Sequence, residues 1–362
     1  MIAGELDAVS GRGPRDVYDR LPKVELHCHV EGTVRPSTVV ELARAAGRDL
    51  PVDDPTQLYR YTSLDSFLAV FWLVQSLLVT PDDWARAAYE SLVDAAPHGL
   101  RYREMFFTPA RHLAAGQDLD DIVGGLTRGI EAAEGETGIR ANLIADMDRA
   151  YGPAAGLEFV ALVVELRRSG GGERIIGVGM DSTELGVDLS AFAPATGLAA
   201  RNGLRVTAHA GEAVGVGPAN IATAIDLLGA QRIDHGIAIV EDEALQRRVA
   251  DAGIPLTVCP NSNVLIANRY PRLADHPFRA MREAGLLATI NTDDPAMTGL
   301  DLGREYRSVA QAMDMGFESM AACALDGIEA SWLDDSDRRQ MRVAFQREIG
   351  DLRGSARTGR PG

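Results

Sequence analysis

Apolar and polar positions along this chain switch repeatedly between a period of two and a helical period. Short β-rich segments fall at 24–29, 101–108, 140–146, 174–181, 204–210, 232–235, 255–259 and 287–292, and stretches with helical apolar spacing separate them. Eight strand–helix alternations with no Gly/Ser linker between them predict an α/β fold, a closed (β/α)8 TIM barrel, in place of two domains. The barrel domain is expected over 1–354, with 355–362 as a frayed tail. About seventy residues separate the first two strands, more than one crossover helix needs, so extra helices belong there. One is predicted within 59–78, where Leu64, Phe67, Leu68, Phe71, Trp72 and Gln75 have helical apolar spacing. It is either an outer-ring helix burying its stripe or a cap over the barrel mouth, in which case Phe67 and Phe71 are candidate substrate contacts. Further helices are expected from about 302 to 352.

Composition narrows the functional classes. A chain of 362 residues with 46% hydrophobic and 24% charged residues can bury an extensive core and does not read as disordered. A formal net charge of −16, uninterrupted by any Lys/Arg run, would repel a polyanion, so a nucleic acid polymer is not an expected partner. Cys28, Cys259 and Cys323 are odd in number and far apart, which argues against a disulfide scaffold and fits a reducing compartment. The segment Met1-Ile2-Ala3-Gly4-Glu5-Leu6-Asp7 lacks the basic and apolar regions of a signal peptide, and no apolar run approaches a membrane span. A cytoplasmic location with no membrane partner is expected; these patterns carry no signal for oligomeric state.

The candidate chemistry starts at the first strand. His27 and His29 are two positions apart, so they face the same side, into the barrel, while Cys28 faces the helices as a packed thiol. Many barrel hydrolases open with the same His-x-His and bridge two metals with a carboxylated lysine from a later strand. The only lysine here is Lys23, ahead of the pair, so a metal bound by these histidines should be mononuclear. Other strands end Thr207-Ala208-His209-Ala210-Gly211-Glu212, Asp234-His235-Gly236 and Asn291-Thr292-Asp293-Asp294-Pro295. Active sites of this fold form at the C-terminal ends of the strands, where these groups fall. Buried carboxylates are expensive unless paired or metal-bound, so chance placement explains them poorly. Asp234 is the weaker member and could simply pair with a cation. Asp293 and Asp294 should point to opposite sides of the strand end unless one turns through the adjoining loop, which Pro295 suits. His98, before Gly99, reads as a turn residue and His276, before Pro277, as a loop residue, both structural. His112, just past the second strand, is either a substrate or lid contact or a surface hydrogen-bonding residue.

The segments PKVELHCHVEGT at 22–33, LRYREMFFTPARH at 100–112, AHAGE at 208–212, RIDHG at 232–236, PLTVCPNSN at 255–263 and NTDDPA at 291–296 resemble the adenosine/adenine deaminase family of the amidohydrolase superfamily, in the family's order. The resemblance implies one zinc per chain on His27, His29, His209 and Asp293. It implies that Glu212 protonates the purine nitrogen beside the reacting carbon. His235 would orient and help deprotonate the attacking water, and Asp294 would hydrogen-bond the purine at N7. The expected reaction is hydrolytic deamination of a 6-aminopurine, and a carboxylic acid positioned at N1 supports it on chemical grounds.

Two positions depart from the adenosine-specific pattern. Glu31 stands where those enzymes place an aspartate that holds the ribose 5′-hydroxyl, and Ser182 stands where they place a glycine whose backbone donates to the purine. Both changes look like the adenine-deaminase branch, whereas Thr298 to Tyr306 resembles the nucleoside branch. Adenine, adenosine and modified adenine nucleosides such as aminodeoxyfutalosine therefore stay open as substrates. The alternatives are a catalytically idle purine-binding relative, which should have lost a ligand or proton-transfer group, and a zinc hydrolase of a cyclic amide or ester on the same fold. The cytidine-type zinc deaminases need a Cys-x-x-Cys pair that this chain lacks.

Overall fold

The computed structural model describes residues 16–358 apart from 53, 55, 56, 62 and 63. Eight strands pair in parallel in sequence order: β1 (Lys23–His29), β2 (Leu100–Phe107), β3 (Arg140–Asp148), β4 (Ile175–Asp181), β5 (Arg205–Ala210), β6 (Arg232–His235), β7 (Leu256–Val258) and β8 (Ala288–Ile290). The seam between β8 and β1 is closed by a parallel bridge between Cys28 and Asp293, in which His29 N donates to Asp293 O (2.9 Å) and Asp293 N to His27 O (3.1 Å). The barrel is thus nearly closed, and its last bridge is made by the residues of the expected metal site.

Every residue of β1 is buried, as a strand covered on both faces requires. Val24 and Leu26 pack toward the outer helices, while the inward positions carry polar groups that pair among themselves. Between β2 and the helix Pro81–Ala95, Arg103 donates to the Ser91 carbonyl (3.0 Å) and meets Glu25 at 2.5 Å, whose other oxygen accepts from the Thr292 hydroxyl (2.6 Å). Arg232 pairs with Glu104 and lies 4.0 Å from the Trp332 ring. Removing one partner of such a buried pair strands the other charge and costs about 3–5 kcal/mol. Lys23 opens β1: its ammonium donates to the carbonyls of Tyr18, Leu21 (2.7 Å) and His98 (2.7 Å), and burial pushes its pKa down to about 7. The lone lysine therefore ties the bottom of the barrel, at the opposite end of β1 from His27 and His29.

The extra helices expected between β1 and β2 are Pro36–Ala45, Leu64–Gln75 and Pro81–Ala95. The last starts where Thr80 and Asp83 form a reciprocal capping box ahead of Pro81 at the first turn. The Leu64–Gln75 helix packs against the Glu31–Thr33 turn that follows β1, placing it at the barrel mouth. Helices Leu302–Ala312, Phe317–Ala330 and Asp335–Thr358 close the C-terminal side. The last runs past 354, where the tail was expected to begin; the rest of that tail, 359–362, lies outside the described residues. β7 and β8 are three residues each, shorter than expected; the backbone leaves the strand conformation at Cys259 (φ −119°, ψ 76°) directly after β7, and three residues past β8 it turns at Asp293 (φ 66°) to enter the site. Among the described residues no helix is long and apolar enough to cross a membrane.

Candidate active site

His27 and His29 reach the C-terminal mouth on one side of β1, where His209 from β5 and Asp293 beyond β8 meet them. One ligand atom from each of the four lies within 4.8 Å of the other three. Asp293 Oδ1 is 3.1 Å from His27 Nε2 and 3.4 Å from His29 Nε2, and the Nε2 atoms of His29 and His209 are 3.2 Å apart. Asp293 Oδ2 accepts from the Ser262 hydroxyl (2.6 Å).

Asp293 gets there through an unfavourable backbone. Its φ of 66° is left-handed, as are His235 (60°) and Ser182 (73°), each at the mouth end of a strand. Such conformations cost about 1–3 kcal/mol for a side-chain-bearing residue and persist where the surroundings over-determine them. The turn at Asp293 resolves the problem of the adjacent acids: both Asp293 and Asp294 come to lie buried at the mouth. Room for Asp294 comes from Gly32, where a Cβ would fall 1.9 Å from Asp294 Oδ1.

Partners behind the histidines fix which ring nitrogen carries the proton. His209 Nδ1 is 3.0 Å from the Met180 carbonyl, which can only accept, so Nε2 offers its lone pair to the site. The Thr257 hydroxyl donates to Asp234 Oδ1 (2.8 Å), which leaves its oxygen to accept from His27 Nδ1 (3.2 Å) and again turns a lone pair inward. Asp234, expected as the weaker member, backs both rings, at 4.0 Å from His27 Nδ1 and 3.8 Å from His209 Nδ1. Behind His29 lies Asp146, at 3.9 Å from Nδ1, and the Phe106 ring stacks on the imidazole. Three imidazole nitrogens and one carboxylate oxygen form an N3O donor set of the kind zinc takes, and a water would join them as a further ligand. These residues fit the metal.

Around this quartet the acids split into two states. Burial acts to raise Asp293, but His27, His235 and His29 outweigh it and hold the carboxyl well below its usual range. Glu212 is pushed up to about 8 by burial and by the charges of Asp293 and Glu184, and Asp294 is raised well above its ordinary value by burial, Asp293 and Glu31. Glu31 is raised by burial; one oxygen accepts from Thr108 N (2.9 Å), whereas Glu31 Oε2 and Asp294 Oδ1 have no hydrogen-bond partner among the described residues. His235 Nε2 faces Glu212 Oε2 at 3.5 Å and Asp293 Oδ2 at 4.0 Å.

The structure brings together His27, His29, His209, Asp293, Glu212, His235 and Asp294, with Glu31 beside them. Phe67 is buried in the helix over the mouth, between Tyr61 (5.2 Å between ring centroids) and Phe71 (5.8 Å). Ser182 is exposed, and its carbonyl accepts from Arg149. His112 is not brought to the cluster: its ring lies edge-on to Trp84 and its Nδ1 contacts Gln117 at 3.2 Å. His98, in the turn before Gly99, contacts Asp19 at 2.8 Å and Asp301 at 3.1 Å. His276 lies in a loop, as expected, and is buried and joined through Asn263 to His235.

Two further residues escaped the sequence reading. Glu184 clamps the backbone ahead of the acid, accepting from Gly211 N (2.6 Å) and Glu212 N (3.1 Å). Arg149 donates to the carbonyls of His209 (2.9 Å) and Ser182 (2.9 Å). Both follow strand ends closely, which was the available signal.

Fold and site together define a barrel hydrolase of the amidohydrolase superfamily. The sequence profile of the family described as adenosine deaminase matches residues 22–346, and the chain belongs to that family. It is 38% identical over 339 residues to the adenine deaminase of Streptomyces coelicolor, covering 93% of this chain and 97% of that one. The crystal structure of adenine deaminase from Arthrobacter aurescens superposes with a TM-score of 0.84 at 32% identity, covering 91% of this chain and 98% of that one. An amidohydrolase from Burkholderia ambifaria with bound zinc gives a TM-score of 0.85 at 32% identity, covering 93% of each chain.

Proposed function

We propose that this protein is a zinc-dependent hydrolytic deaminase of a 6-aminopurine, with adenine as the favoured substrate. Water adds at C6, ammonia leaves, and the 6-oxopurine is the product. The observation that carries this reading is the convergence of His27, His29, His209 and Asp293 within 4.8 Å, beside a Glu212 carboxyl whose pKa sits near 8. One zinc per chain is proposed on those four residues, supported by the zinc in the Burkholderia ambifaria relative. Bound there, zinc supplies the Lewis acidity that makes water a nucleophile near neutral pH.

The chain's own groups do the rest. Glu212, protonated at neutral pH, hands its proton to N1 as C6 becomes tetrahedral and the ring loses aromaticity. Asp294, held neutral among other carboxyls, donates to N7, which can only accept. His235 orients the attacking water. Glu31 and Ser182 meet the far edge of the purine, and Phe67 and Phe71 cover it and exclude solvent. His112 is left out of the site.

Adenine is favoured over adenosine on two grounds. The Streptomyces coelicolor and Arthrobacter aurescens relatives carry the name adenine deaminase. Glu31 also projects a carboxylate one methylene longer than aspartate where an adenosine enzyme holds the ribose, and its Oε2, without a hydrogen-bond partner among the described residues, can accept from a donor such as the N–H of an unsubstituted base. The test is ammonia release from adenine, adenosine and 5′-modified adenosines. Adenine is expected to give the highest kcat/KM, and a wide preference for adenosine refutes the assignment.

A further inference from the structure

His276, Asn263 and His235 form a buried chain whose polarity is set at one end by a group that cannot change it. Phe278 opens the helix Phe278–Glu283, so its backbone N–H has no acceptor within the helix. It donates instead to His276 Nδ1 at 3.1 Å. His276 Nδ1 therefore carries no proton, and the neutral ring carries it on Nε2, which lies 3.2 Å from Asn263 Oδ1. With its oxygen accepting from His276, Asn263 turns its amide nitrogen to His235 Nδ1 at 3.0 Å and donates there. The proton of neutral His235 is then on Nε2, the nitrogen that faces Glu212 and Asp293. Flipping the Asn263 amide would need His276 protonated on Nδ1, directly against the Phe278 N–H, and the backbone group forbids it.

We propose that His276 is a positioning residue which, through Asn263, locks His235 as the Nε2–H tautomer, so that His235 meets the attacking water as a hydrogen-bond donor and takes no proton from it. This inverts the expectation that His235 helps to deprotonate the water. His235 is thereby set apart from the metal-site histidines: His27 and His209 are held with the proton on Nδ1 and a lone pair inward, whereas His235 is held the other way round. It cannot offer Nε2 to a metal. Once Glu212 has given its proton to N1 it is a carboxylate, and with Oε2 at 3.5 Å from His235 Nε2 it is the group placed to take a proton from the water; Asp293, at 4.0 Å, belongs to the metal site and takes none.

The inference rests on the reading of His235 as the residue that meets the water, but its first test is independent of activity. In the zinc-loaded protein labelled with 15N-histidine, nitrogen shifts and couplings assigned with a His235 variant should show the His235 proton on Nε2. A proton on Nδ1 overturns the proposal. Asn263→Asp then reverses the polarity, since a carboxylate only accepts and draws the His235 proton to Nδ1. If donation matters, this variant should show the Nδ1–H form and lose on the order of a hundredfold in kcat, with KM changed less than threefold and zinc content unaltered. An undiminished or raised kcat there means that His235 works as a base, and the proposal fails. His276→Leu removes the donor to Asn263 and should cost about tenfold to a hundredfold in kcat, with His276→Gln, whose amide can still donate, recovering part of it. Equal loss in both variants, with the His235 tautomer unchanged, would reduce His276 to a packing residue. If the parent shows the Nε2–H form but deaminates no purine, the proposed reaction has failed while the tautomer lock has not.

Discussion

Replacing Glu212 by Gln tests the central step of the proposed chemistry, because it keeps the shape and a hydrogen-bond donor but removes the transferable proton. The carboxyl sits at a pKa near 8, raised by burial and by the charges of Asp293 and Glu184. A group with that pKa is about nine-tenths protonated at pH 7 and about one-tenth at pH 9. Activity that needs the acid form should therefore fall about tenfold between these pH values, and because the value belongs to the free protein the fall should appear in kcat/KM. The sign is fixed by the role: an acid is lost as pH rises, so the limb is alkaline. Glu212→Gln should lose about a hundredfold to ten-thousandfold in kcat, or about 3–5 kcal/mol of transition-state stabilisation, and with it this limb. Glu212 lies outside the quartet that converges on the metal position, so zinc content should be unchanged. Steady-state ammonia release across pH 6 to 10, with metal analysis of both proteins, measures all of this. A variant that keeps more than a tenth of kcat, or shows the same alkaline limb, refutes Glu212 as the proton donor.

Asp293→Ala should lower zinc content and activity together, whereas Asp294→Ala should keep about one zinc per chain and lose activity; metal analysis showing equal loss from both would mean the ligand assignment is wrong. Gly32→Ala places a methyl group 1.9 Å from Asp294 Oδ1, so that carboxyl must move, and kcat should fall while zinc stays bound. Glu31→Asp withdraws a carboxylate that accepts from Thr108 N at 2.9 Å and leaves that amide unpaired, a loss of about 1–3 kcal/mol. In kcat/KM for adenine this is roughly tenfold to a hundredfold, and the adenosine-to-adenine ratio should rise; an unchanged ratio would remove Glu31 from substrate selection.

The barrel and the strand ends that carry the candidate metal site were legible because both depend on local rules, whereas the choice of His27, His29, His209 and Asp293 as the ligand set came from the family resemblance. A period of two puts His27 and His29 on one side of β1, and the β-rich runs place His209 near the end of β5 and Asp293 just beyond β8, although β8 itself stops short of its run. The groups that orient those side chains obey no such rule. Asn263 meets His235 from 28 positions away and His276 meets Asn263 from 13, across a turn that the His-Pro pair alone marks as a loop. His112 illustrates the converse: its position past β2 is right for a mouth residue, yet its ring turns to Trp84 and Gln117. Imidazole chemistry explains why spacing could not reach further. Neutral histidine is a donor or an acceptor toward the site according to which nitrogen holds the proton, and the partner on the opposite side of the ring decides that. Met180 O and the Thr257 hydroxyl behind His209 and His27 leave a lone pair facing the site, and the Asn263 amide behind His235 leaves an N–H facing it. Exchanging those partners would exchange the roles while every histidine kept its place in the sequence.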